Sequence, residues 1–156
     1  MAEEYWKKAE RKIREWLDRP AEGYCFERIP DQMTGQKGST NKCDFTLYKH
    51  PYMYYLESKA TIHDRFDFSM ITEYQHTSLL ERSTIDGVFG YVIVLFVEYK
   101  RAFMLDINDI KSLEDRGIKS LNIKKIAKWP IPYKEIKTIP NNRKDVLDYD
   151  KENNVL

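Results

Sequence analysis

The chain has 156 residues, 42% of them hydrophobic and 33% charged, which suits one soluble globular domain with a real core and excludes a disordered chain. No apolar run approaches the ~20 residues of a membrane span, the longest being Tyr91 to Val97, and Met1 leads into a charged amphipathic segment instead of an apolar export signal. Cys25 and Cys43 are too few for a disulfide framework, so a reducing cytoplasm is expected, and the net charge of +1 by itself says nothing about nucleic acid.

The first segment reads as a helix from about Glu3 to Asp18, because Trp6, Ala9, Ile13, Trp16 and Leu17 recur at helical spacing; Pro20 and Gly23 end it. Tyr24 to Ile29 alternates like a strand. A polar loop from about Pro30 to Lys42 follows, long enough to expect a function for it. Cys43 to Tyr48 and Met53 to Lys59 read as two strands of a hairpin that turns at Lys49, His50 and Pro51. Ser69 can cap a helix running to about Arg82, with Met70, Ile71, Tyr74, Ser78 and Leu79 on its apolar side. Gly87 and Gly90 break the chain before a strongly apolar strand, Tyr91 to Tyr99, and Arg101 to Leu105 pairs with it. Asn108 to Asp115 reads as a short helix ending at Gly117, and Leu121 to Lys128 as a further helical stretch.

This order, helix, three strands, helix, two strands and a mixed end, predicts a central mixed sheet flanked by helices in an α/β (α+β) layer arrangement. The whole chain, 1–156, is expected to form a single domain, with its core over about 3–128 and a C-terminal tail over about 129–156. From Arg116 to Lys137 the chain carries Arg116, Lys119, Lys124, Lys125, Lys128, Lys134 and Lys137, with Glu135 the only acid. Such a run can displace counterions from DNA phosphates; a solvated surface with a lysine excess explains it as well.

Asp44 stands near the start of the second strand, and Glu57 and Lys59 near the end of the third. A hairpin closing at His50 brings Asp44 opposite the Glu57 region. Glu57 and Lys59 are two apart, so their side chains share a face. Two carboxylates and a lysine on one patch suit phosphodiester hydrolysis. Carboxylate oxygens suit Mg²⁺, which polarises phosphoryl oxygen and acidifies water, while a lysine orients that water or balances growing negative charge. A backbone carbonyl at Ser58 can add a ligand. A simple Glu57–Lys59 ion pair accounts for the same residues, but acids set among Tyr54, Tyr55, Leu56 and Ala60 are costly to bury without a partner or a metal.

The run Cys43-Asp44-Phe45-Thr46-Leu47-Tyr48, followed by Tyr55-Leu56-Glu57-Ser58-Lys59-Ala60-Thr61, resembles the motif of the PD-(D/E)XK nuclease superfamily. Within it, the chain is similar to the RecU-type Holliday-junction resolvases and their shorter phage relatives. Phe66-Asp67-Phe68, a helix bearing Glu73-Tyr74-Gln75, and the strands at Gly90 to Phe96 and Arg101 to Leu105 extend the resemblance over roughly residues 5 to 110. It implies a restriction-endonuclease-like fold and a metal-dependent endonuclease, with Mg²⁺ (or Mn²⁺) held by Asp44 and Glu57; the rival readings are a restriction- or repair-like nuclease of the same superfamily and a DNA-binding or interaction module that has kept the fold and lost catalysis. It also implies that Lys59 is the catalytic lysine and that Gln75 assists the water or the scissile phosphate. Glu10 resembles the first-helix acid of many such nucleases; a solvated acid near Lys7 and Arg14 fits it equally.

Where family members carry a hydroxyl residue just before the motif Asp, this chain has Cys43, and the family's protruding stalk is here only the Pro30 to Lys42 loop. The expected partner is DNA, most of all four-way junctions, cut symmetrically by a homodimer in a bacterial or phage-infected cytoplasm. Candidate DNA contacts are Lys37, Lys42, Arg65, His76, Lys124 and Lys125, with Tyr52, Tyr54 and Tyr55 as core residues of which one or two can stack on bases. His50, His63 and His76 lack zinc spacing, and there is no phosphate-binding or dinucleotide glycine motif.

Overall fold

A computed structural model of the chain describes residues 2–18, 23–30 and 43–136. Helix α1 (Ala2–Leu17) leads into strand β1 (Tyr24–Arg28). Strands β2 (Phe45–Lys49) and β3 (Tyr52–Thr61) form the expected hairpin, and β4 (Arg65–Asp67) follows. Helix α2 (Glu73–Ser83) crosses to β5 (Val88–Phe96), which returns as β6 (Arg101–Asp106). Helix α3 (Ile107–Asp115) and the short strands β7 (Ser120–Asn122) and β8 (Lys134–Ile136) complete the described chain.

Six strands make a mixed sheet in the order β1-β2-β3-β5-β6-β8. Among the described residues only β3 and β5 run parallel, which requires the crossover that α2 supplies. Strand β5 lies inside the sheet and is covered on both faces, so it reads as a continuous apolar run with no alternation. Against one face, Ile13 and Leu17 of α1 pack on Phe45, Leu47 and Leu56. Against the other, Leu79 of α2 and Ile107, Ile110 and Leu113 of α3 pack on Val92, Val94, Phe103 and Leu105. The sheet and its two helical layers match the expected class; the side chains of Trp6, Ala9 and Trp16 lie outside the described residues.

Several boundaries differ from expectation, each for a local reason. Helix α2 is capped by Thr72 and starts at Glu73, where Ser69 was the expected cap. Thr72 accepts from the Gln75 backbone N–H at 3.2 Å, and the Gln75 side chain accepts from the Thr72 N–H at 3.1 Å. This reciprocal capping box outcompetes Ser69, which sits in a 3₁₀ turn, Phe68–Met70. Tyr74, expected on the apolar side, is 45% exposed. Residues Val97–Tyr99 are a 3₁₀ turn and not strand, closing the β5–β6 hairpin with Lys100 in a left-handed conformation. Residues 121–128 divide into β7 and a 3₁₀ run, because Leu121 and Ile123 alternate inward while Asn122 caps the turn. The sheet also continues beyond residue 128. Strand β8 covers the edge of β6, with Ile136 in the core and Glu135 accepting two bonds from Arg101 at 2.7 and 2.9 Å.

Gly87 does turn the chain, at φ +78°, but Gly90 is buried within β5. A β-carbon there would stand 2.9 Å from the Leu79 carbonyl oxygen and 3.1 Å from Leu79 Cβ. Gly90 is therefore what lets α2 lie close on the sheet. Gly90→Ala must push a helix backbone and is expected to cost about 1–3 kcal/mol, as overpacking does. At roughly 2–4 °C per kcal/mol, a melting curve should fall by several degrees. An unchanged Tm would mean that α2 moves freely on the sheet.

Candidate active site

The β2–β3 register pairs Phe45 with Leu56, which sets Asp44 beside Glu57 at the open end of the hairpin. The Asp44 N–H donates to the Leu56 carbonyl at 3.0 Å, continuing the ladder one residue past β2. The Asp44 side chain is held by Ser58, whose backbone N–H and hydroxyl both donate to Oδ2, at 2.9 and 2.8 Å. Ser58 thus enters the site through groups other than the carbonyl expected of it, as the clamp that orients the first acid.

Glu57 points to the α2 face and is 2% exposed. Its Oε1 accepts from Gln75 Nε2 at 2.6 Å and from the Lys59 ammonium at 3.2 Å. Gln75 can reach because the capping box fixes the first turn of α2 and Gly90 allows the helix its close approach. The sequence therefore delivers Asp44, Glu57, Lys59 and Gln75 to one place, from two strands and a helix. Thr72 is the supporting residue that sequence reasoning passed over, and Ser58, expected only for its carbonyl, supports the site through its N–H and hydroxyl. The T-x-x-Q spacing and the hydroxyl between Glu57 and Lys59 were the available signals.

Burial, and then the neighbouring Asp44 carboxylate, push the Glu57 carboxyl up to about 8, against the pull of Lys59. Glu57 Oε2 is buried and has no hydrogen-bond partner. Such an orphaned acceptor is expensive. A divalent cation between Asp44 and Glu57 would satisfy Oε2 and offset the repulsion that raises Glu57, so the donor set, two carboxylates of hard oxygen, fits Mg²⁺ or Mn²⁺. Among the described residues no three His, Cys, Asp or Glu side chains are grouped as a metal site.

The other candidates stand elsewhere. Glu10 pairs with Arg28 of β1 at 2.6 Å. The helix-1 acid acts on Glu57 only as the weakest of the charges that raise it. His76 is engaged by Glu114 of α3 at 2.6 Å. Arg65 lies exposed beside Asp67 at 2.9 Å, and Lys124 beside Asp64 at 3.4 Å. Strands β4 and β7 pair, so Arg65 and the exposed Lys124 and Lys125 share one surface just beyond the end of β3. Lys37 and Lys42 lie outside the described residues, as does most of the polar loop. Tyr54 is core, Tyr55 is half-buried and Tyr52 is 45% exposed. Cys43, in the place of the family hydroxyl, is buried and donates to the Phe45 carbonyl at 3.3 Å. Burial and Glu57 push its thiol up to about 12, so it packs as a neutral thiol.

With this geometry, comparison with known proteins decides the family. The family of recombination protein U matches residues 32–151. The chain belongs to that family. Its members are Holliday-junction resolvases, and the chain is an endodeoxyribonuclease of recombination. Among solved structures it is similar to Hjc of Archaeoglobus fulgidus, a Holliday junction resolvase from an archaeal hyperthermophile. The identity is 14%, over 65% of this chain and 77% of that chain, with a TM-score of 0.48. No curated protein sequence matches. Among the described residues no helix is long and apolar enough to cross a membrane.

Proposed function

We propose that the chain cuts four-way DNA junctions as a homodimer in the cytoplasm, at a site where Asp44 and Glu57 hold Mg²⁺. The observation that carries this is the buried, partnerless Oε2 of Glu57 beside a second carboxylate. A bound divalent cation supplies Lewis acidity to the scissile phosphate and lowers the pKa of water.

This chain's own residues do the rest. Ser58 fixes the rotamer of Asp44, so that Oδ1 is the oxygen left for the cation. Gln75 and Lys59 hold Glu57 Oε1, which leaves Oε2 without a hydrogen-bond partner and available to a cation. The Lys59 side chain is 12% exposed, so its ammonium can meet a phosphate oxygen while it still steadies Glu57. As the phosphorus gathers negative charge, that ammonium offsets it at a fixed position, with no reorganisation needed. The Gln75 amide donates to Glu57 and its carbonyl is bound in the cap, so its orientation is set by both ends of the side chain. The exposed Arg65, Lys124 and Lys125 surface offers phosphate contacts for a duplex arm.

Symmetric cutting of two strands needs two such sites, hence the homodimer. The test is digestion of a labelled four-way junction and a matched linear duplex with Mg²⁺, with Mn²⁺ and with EDTA, alongside sedimentation of the protein. Paired nicks on the junction alone, only with a divalent cation and from a dimer, are expected. Equal cutting of both substrates would overturn junction selectivity. Binding without cutting in either cation would overturn the catalytic reading and leave a DNA-binding module.

A further inference from the structure

Arg82 lies in the last turn of α2 and has no role in the site so far described. It is seven residues, two helical turns, beyond Gln75, so the two side chains leave α2 on the same side. Its guanidinium stacks over the Tyr55 ring, 4.5 Å from the centroid. Tyr55 is two residues before Glu57 on β3 and shares its face, about 7 Å away along the strand. Cys43, the residue before Asp44, is close enough to feel the Arg82 charge. One helix face thus carries a neutral amide onto Glu57 and a cation beside it.

What marks this arginine is that it is uncommitted. Its Nε is buried and has no hydrogen-bond partner, and among the described residues the guanidinium makes no ion pair. Arg28 and Arg101, by contrast, each meet a glutamate. A guanidinium held over an aromatic ring, with its donor fork unmatched, is preorganised for a planar oxyanion or a phosphate. Offset along β3 from the carboxylate pair, it is set for a different phosphate from the one the cation would hold.

We infer that Arg82 is a substrate-positioning residue that clamps a backbone phosphate of the junction strand next to the one cut at Asp44 and Glu57. This rests on the nuclease reading above. The competing account is structural: Arg82 serves only to cover Tyr55 and to complement the C-terminal end of α2.

The experiment compares the parent with Arg82→Gln and Arg82→Lys for binding of a labelled four-way junction in EDTA, where nothing is cut, over a range of salt. Arg82→Gln is expected to weaken binding about tenfold and to lower the slope of log K against log salt by about 0.9, the loss of one phosphate contact. Arg82→Lys keeps the charge and should keep the slope, while cleavage with Mg²⁺ falls because the fork is gone. An unchanged affinity and slope in a folded Arg82→Gln would overturn the proposal and leave the structural account. A parent that binds no junction would instead sink the nuclease reading itself.

If Arg82→Gln fails to fold, the parent still answers. The buried Arg82 Nε–H signal, assigned by its loss in Arg82→Lys, should shift when the junction is added in EDTA. A signal that stays in place would overturn the clamp.

Discussion

Asp44→Asn is expected to lower Mg²⁺-dependent cleavage of a four-way junction by about three orders of magnitude, with junction binding in EDTA within a fewfold of the parent. The size follows from what the cation contributes to phosphoryl transfer, several kcal/mol, at about 1.4 kcal/mol per tenfold in rate. The substitution preserves shape. An asparagine oxygen in the place of Oδ2 can accept the same two bonds from Ser58, so the strand end at Asp44 need not rearrange. What changes is the other atom: an amide N–H₂ then faces the cation position, where it neither carries charge nor coordinates. Cleavage within tenfold of the parent, at saturating Mg²⁺, would remove Asp44 from the metal site.

The same substitution carries a second signature. Asp44 is the second cause, after burial, of the raised Glu57 carboxyl. In Asp44→Asn that repulsion is gone, so the Glu57 carboxyl should titrate lower than in the parent. A merely surface-exposed Asp44 would leave Glu57 where it was. The two readouts, rate and titration, therefore test the pairing of the acids and not only the loss of one.

The site was legible where its geometry is local and dark where it is not. Asp44, Glu57 and Lys59 could be read because a hairpin turn at His50 fixes which residues face each other, and because a spacing of two fixes a shared face. The apolar β5 could be read because a strand covered on both sides needs no alternation. Gln75 is a different case: on helical periodicity alone it is an ordinary polar residue, and only the family pattern singled it out. Its partner, the Thr72 cap, competed with Ser69, and the choice turned on a reciprocal bond three residues on. Gly90 looked like a chain break because a glycine announces either a turn or a close approach, and one residue cannot say which. Strand β8 was hidden by Pro130 and Pro132, and it exists because an edge of the sheet was there to pair with. Arg82 on Tyr55 joins a helix end to a strand middle, a contact with no sequence spacing to betray it. The fold class survives such errors since it depends on the order of elements, while the site depends on individual side chains meeting.

Glu57→Gln is expected to flatten the pH dependence of stability measured without metal, and to abolish stabilisation by Mg²⁺. The sign follows from linkage. In the unfolded chain the Glu57 carboxyl has its ordinary value of 4.5, and in the folded chain it lies at about 8. Below the first value both states hold the proton, and Glu57 contributes no slope. Between them the unfolded chain has released a proton that the folded chain keeps, so the parent loses stability as pH rises, by about 1.4 kcal/mol per pH unit from this group. Above about 8 both are ionised and the slope from Glu57 ends. The glutamine cannot titrate, so the difference between parent and variant isolates the term from all other groups.

A cation that occupies the pair reverses the parent's behaviour. It binds the ionised carboxylate, so Mg²⁺ should raise the parent's melting temperature more at pH 8 than at pH 6, whereas Glu57→Gln should not respond at either. Denaturant titrations across pH 5 to 9, with EDTA and with excess Mg²⁺, would show this. Parallel curves for parent and variant in EDTA would mean that Glu57 ionises freely in the fold. The orphaned Oε2 would then have found another partner, and the strongest physical reason for placing a metal there would be gone.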